Sequence, residues 1–159
     1  MCSQIFQDAI FAAIAAIGFA AISRPPRRVY IYCAIIAAAG HSLRFVLMNG
    51  TMSMQIIPAT SIAAFVIGLL AVFLTKFART PAETCLFPAL LPMIPGMYAY
   101  RGFGGLVMCL LNTQPDTFIH YFYLFVYNSI TCLTVLFCMV AGGTIPIFIF
   151  KKVSFQATR

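Results

Sequence analysis

Five apolar stretches occupy most of this chain, over residues 5–22, 29–48, 56–75, 84–111 and 118–150. A helix that crosses a bilayer needs about 20 consecutive apolar residues, because the hydrocarbon core is about 30 Å thick. Only 8% of the 159 residues are charged, whereas about a quarter would be in a soluble domain. That is too few to cover a surface facing water. The chain therefore reads as an all-α, polytopic membrane helix bundle of about five transmembrane helices, one domain over residues 1–159. The last two stretches exceed one straight span. Pro88, Pro92, Pro95 and Gly96 interrupt the fourth, and Gly142, Gly143 and Pro146 interrupt the fifth, so a tilt, a kink or a break is expected in each. Met1 to Asp8 has no basic run, and no A-x-A site before a hydrophilic domain follows the first stretch. That segment reads as a retained helix rather than a removed signal peptide.

The few charges are placed asymmetrically. Arg24, Arg27, Arg28, Lys76, Arg79, Lys151, Lys152 and Arg159 all fall in the first and third connectors and the tail. The N-terminus and the alternate connectors hold only Asp8 and Asp116. Cytoplasmic loops carry the excess of Lys and Arg, so the N-terminus is expected outside and the C-terminus in the cytoplasm. An odd number of spans follows. The same placement explains the net charge of +7 without nucleic acid, for no basic helix face exists.

Several activities lack their residues. There is no Walker A lysine motif, no HExxH and no GxSxG, and three acidic side chains serve the whole chain. No enzyme activity and no cofactor are expected. Cys2, Cys33, Cys85, Cys109, Cys132 and Cys138 show no CxxC pair. They read as small hydrophobes rather than as metal ligands or disulfides.

Ionisable groups inside a membrane are costly and point to function. His41 and Arg44 lie i, i+3 on one face of the second helix, next to Gly40 and Ser42, which permit close helix approach. Arg44 either snorkels to the headgroups or meets a partner within the bundle. Asp8, on the antiparallel first helix, lies at a similar depth, so a structural Asp8–Arg44 ion pair is expected.

The fourth stretch contains Pro88, Pro92, Pro95, Gly96, Tyr98, Tyr100 and Arg101. Pro92 and Pro95 lack backbone N–H groups, and Gly96 permits a sharp reversal. Two readings stand, a simple kink or an opened backbone. An opened backbone in mid-membrane is tolerated only inside protein or beside a wet cavity, as at the broken helices of secondary transporters. In the second reading Tyr98 and Tyr100 supply hydroxyls and Arg101 a cation for a carboxylate. In the fifth stretch Asn128, Ser129, Thr131 and Thr134 offer hydrogen bonds between helices, and Asn128 could equally face a cavity. His120 sits in an aromatic belt with Tyr121, Phe122 and Tyr123.

At Gly40-His41-Ser42-Leu43-Arg44, and again from Leu91-Pro92-Met93-Ile94-Pro95-Gly96 to Tyr100, the chain resembles the threonine/serine exporter (ThrE-like) family. Within it the short YjjB-type membrane subunit is most similar. Gln7-Asp8, Gly18-Phe19-Ala20 and Asn128 extend the match. The resemblance implies export of small carboxylate metabolites (threonine and serine, or succinate for the split type) across a bacterial cytoplasmic (inner) membrane. It also implies a longer partner, the YjjP-type five-helix subunit. The matched site positions are His41, Arg44, Pro92, Pro95, Gly96, Tyr100 and Asn128; Arg101 is not part of the resemblance. Two fused five-helix halves must have opposite orientations, so the pair would form an inverted-topology dimer. The competing reading is a non-transporting membrane scaffold or assembly subunit that needs only helix packing.

Overall fold

The computed structural model describes residues 2–50 and 52–151, with the backbone alone for Cys2, Thr75 and Lys76. The Lys76 side chain and the tail with Lys152 and Arg159 lie outside the described residues. The described chain is helical: α1 (Cys2–Ser23), α2 (Arg27–Asn49), α3 (Ile56–Ala78), α4 (Ala82–Leu90), a 3-10 turn (Leu91–Met93), α5 (Gly96–Leu111) and α6 (Pro115–Ile149). Among the described residues four helices are long and apolar enough to cross a membrane, namely α1, α2, α3 and α6. The expected fourth helix is broken in two. At about 1.5 Å per residue, the 12 residues of Ala82–Met93 reach about 18 Å and the 16 of α5 about 24 Å, each short of the hydrocarbon core.

Proline sets most of the boundaries. Pro26 and Pro81 are the N-caps of α2 and α4, and Pro115 is the first residue of α6. At these positions the missing N–H would have had no intrahelical partner. Pro88 lies inside α4, where a missing N–H does matter. It leaves the Thr84 carbonyl without its i+4 donor, and the Cys33 thiol of α2 fills the gap at 3.8 Å.

The chain folds as two compact units. One comprises the residues up to Met93 with those from Cys138 onward, and the other is Ile94–Phe137.

In the larger unit, small residues face inward and large ones face outward. Ala12, Ala16 and Ala20 recur every four residues on α1 and are buried, as are Val29, Cys33, Ala37 and Gly40 on α2. Phe6, Phe11 and Ile22 on α1 are two-thirds or more exposed. Lipid solvates those side chains, while small ones let the backbones approach. The glycines show how close the approach is. A Cβ at Gly40 would strike the Ile67 side chain of α3. A Cβ at Gly142 would lie 2.9 Å from Ser61 O, and one at Gly68 would strike Gly143 O.

Of the tilt, kink or break expected in the fifth stretch, the break does not occur: it continues as α6 through Gly142 and Gly143 to Ile149. The two glycines permit packing against α3 and, at Gly143, against Leu86 and Leu90 of α4. Pro146 lies in the last turn without ending the helix.

The smaller unit is a hairpin of α5 and the first part of α6. Gly102 and Gly105 allow the approach, since their added Cβ atoms would lie 2.9 Å from Ser129 Oγ and 2.8 Å from Phe125 N. The connector closes on Asn112, whose backbone N–H and side-chain Nδ2 both donate to Met108 O, at 3.1 and 2.8 Å.

The chain between Met93 and α5 turns on proline rather than glycine. Pro95 has φ −78° and ψ 64°, and Gly96 N–H donates to Ile94 O at 2.8 Å. This is an inverse γ-turn centred on Pro95. Gly96 has no positive φ, and a Cβ there would meet nothing within 4 Å, so the expected glycine reversal is corrected to a proline one. Gly96→Ala should therefore leave thermal stability in detergent within about 0.5 kcal/mol of the parent. A loss of several degrees in melting temperature would contradict this assignment.

Candidate functional site

α1 and α2 are antiparallel neighbours. Asp8 is six residues into α1, and Arg44 is five residues before the end of α2. Both therefore lie about 7–9 Å along the helix from the same end of the pair. The third contributor is the 3-10 turn. Pro92 O would ordinarily accept from the N–H of residue 96, but that group bonds Ile94 O instead. Met93 O likewise lies beyond the α4 ladder, where the last carbonyls of a helix have no partner. The break thus presents two unsatisfied carbonyls at the negative end of α4.

His41 and Arg44 meet those carbonyls. Arg44 Nη1 donates to Met93 O at 2.7 Å. His41 Nδ1 lies 2.6 Å from Asp8 Oδ2, and its Nε2 lies 3.1 Å from Arg44 Nη2 and 3.3 Å from Pro92 O. A guanidinium only donates, so the bond to Arg44 makes Nε2 the acceptor. The proton of the neutral ring then sits on Nδ1, donating to Asp8. In this state the cluster carries one carboxylate and one guanidinium. Two of the five guanidinium N–H groups are engaged in these bonds.

This arrangement corrects the expected Asp8–Arg44 ion pair. Asp8 pairs with His41, and Arg44 reaches the carboxylate only through the imidazole. His41 lies one turn deeper along α2 and takes the carboxylate, and the freed Met93 carbonyl claims the guanidinium. Arg44 is held inward rather than extended along the helix toward its end. A cavity of about 210 Å³ opens beside the cluster, lined by Asp8, Phe11, Ala12, Ala15, His41 and Pro92. That is below the roughly 300–1,000 Å³ of drug-sized sites, and suits a small metabolite.

The remaining expected site residues lie in the other unit. Arg101 and Asn128 line a cavity of about 430 Å³ with Gly104, Gly105, Met108, Tyr121 and Leu124. Asn128 is buried and donates from Nδ2 to Leu124 O of its own helix at 2.6 Å. Its carbonyl oxygen takes no part in that bond. Pro95 shapes the γ-turn and Gly96 opens α5. Tyr98 is half-buried, Tyr100 is 75% exposed, and neither lines either cavity.

Freed carbonyls were expected in this stretch, but not their assignment to Pro92 and Met93; the Cys33 bond to Thr84 O and the place of Tyr121 escaped the sequence reading. The carbonyls could have been assigned by counting which of them lose their i+4 N–H across Pro88–Gly96. Tyr121 carried no signal beyond an aromatic belt.

The profile of the family described as "Threonine/Serine exporter, ThrE" matches residues 8–149. A protein of Haemophilus influenzae, described only as uncharacterized, is 38% identical over 104 residues, which cover 65% of this chain and 34% of that protein. The chain thus spans about a third of the length of that curated relative. No solved structure matches.

Proposed function

Since the chain belongs to the threonine/serine exporter (ThrE) family, a family of multi-pass membrane transporters, we propose that it is one subunit of a two-component secondary exporter. Its substrates are small carboxylate metabolites, threonine and serine or a succinate-like acid. The observation that carries this reading is the cluster at the helix break, where Asp8, His41 and Arg44 converge on the freed carbonyls of Pro92 and Met93 beside a cavity of metabolite size. Spare guanidinium donors suit a carboxylate, and the free lone pairs of Asp8 suit an ammonium group. Broken helices are how many secondary transporters build substrate sites. Arg101 and Asn128 offer a second polar position to the same substrate class, since a cation on an apolar helix calls for an anion.

The partner is a YjjP-type subunit with five helices in the opposite orientation. The length of the Haemophilus influenzae relative supports this, because its matched stretch leaves room for a second half. In this reading the chain sits in the inner membrane with its N-terminus outside and its C-terminus in the cytoplasm, as the basic connectors imply.

The test is efflux of preloaded L-threonine and succinate from cells expressing this chain alone, the partner alone, or both. Efflux of either compound only when both are present is expected. Equal retention in all three strains, with the proteins inserted, would leave the scaffold reading.

A further inference from the structure

His41 Nε2 lies within bonding reach of two groups that it cannot serve together. Arg44 Nη2 at 3.1 Å is a donor and needs a lone pair; Pro92 O at 3.3 Å is an acceptor and needs a proton. One nitrogen supplies one or the other. The remaining ring nitrogen is fixed on Asp8 in both states, at 2.6 Å.

We propose that His41 is the proton-binding residue of this site, and that proton uptake at Nε2 releases Arg44 to bind the substrate carboxylate. This deepens the export reading and rests on it. The proton comes from water in the cavity that His41 lines, and adds to the Nε2 lone pair. The Arg44 bond then has no acceptor, and Nε2–H turns to Pro92 O. Arg44 keeps Met93 O through Nη1 while its Nη2 edge is released. The charge on Asp8, His41 and Arg44 rises from zero to +1. A bound carboxylate restores neutrality, so proton and anion favour each other's binding.

The groups around His41 are few. Asp8 faces it from α1, and Arg44 lies beside it on α2. The 3-10 turn faces it with carbonyls; the ionisable residues of α4, Glu83 and Cys85, are seven or more residues before Pro92. Where α3 meets this part of α2, Ile67 lies against Gly40.

The test is 15N NMR of the histidine ring in the full chain, in bilayers, carrying His120→Gln so that His41 gives the signal. In the neutral state the ring proton should be on Nδ1. The protonation midpoint should rise by roughly one pH unit or more, the effect of a new opposite charge within 4–6 Å, when L-threonine or succinate replaces sodium chloride at equal ionic strength. In Arg44→Leu the midpoint should ignore both ligands, because the carboxylate has lost its docking group. A neutral wild-type ring protonated on Nε2 would overturn the switch. So would a midpoint that neither compound moves, whatever efflux is measured. A midpoint that moves while cells show no efflux would uphold the proton–carboxylate linkage and remove the export role.

Discussion

Replacing Arg44 by alanine should lower export at least tenfold while leaving the chain in the membrane. Truncation removes the donor to Met93 O and the donor to His41 Nε2, and leaves Asp8 without its compensating cation. Stranding a buried charge by removing its countercharge costs about 3–5 kcal/mol. The lower end applies here, because Asp8 and His41 retain some exposure. His41 can partly compensate by holding a proton against Asp8. The protein should therefore insert and remain folded with a lower melting temperature, while the carboxylate loses its docking group. Lysine at 44 should recover folding better than export, since a single ammonium cannot match the planar fork that meets His41 and Met93 together. The double change Asp8→Asn with Arg44→Gln tests charge balance separately. It restores neutrality, so expression should recover, but export should stay low if Arg44 binds substrate. Full export by the double variant would reduce the cluster to a structural ion network. The readouts are threonine and succinate efflux with the partner present, normalised to membrane-inserted protein.

How much of this was legible in the sequence depends on the physics involved. The helices were, because bilayer thickness fixes their length and proline fixes their ends; the boundaries at Pro26, Pro81 and Pro115 follow from the missing N–H alone. The importance of Asp8, His41 and Arg44 was legible too, since charge in an apolar helix stands out. Their connectivity was not. It depends on a turn of a few residues, in which Pro95 diverts the N–H of Gly96 to Ile94 O and strips Pro92 O of its partner. Periodicity carries no information about that diversion. Glycine was also ambiguous. Gly96 looked like a point of reversal and makes no close approach, whereas Gly142 and Gly143 looked like an interruption and are packing surfaces. A one-letter pattern cannot separate these roles, because both require a residue without a Cβ.

That ambiguity supplies the second large effect. Gly68→Ala should destabilise the larger unit, because the added methyl meets backbone rather than a flexible side chain. Its nearest neighbours are Gly143 O, Gly143 C and the Pro146 ring. α6 cannot yield locally there, since Pro146 is packed and buried and the adjacent Gly142 is itself pressed on Ser61 O. The two helices must separate. Overpacking of a well-filled core costs about 1–3 kcal/mol, and a change of 1 kcal/mol shifts the melting temperature by roughly 2–4 °C in a chain of this length. A fall of about 5 °C, measured by size-exclusion survival after heating in detergent, is therefore expected. Gly18→Ala is the control: nothing beyond its own stretch of helix lies within 4 Å of the added carbon, and alanine favours a helix over glycine by about 1 kcal/mol. Its melting temperature should hold or rise. If both variants melt with the parent, α3 and α6 do not pack through their glycines. If both fall together, the loss comes from something other than helix packing.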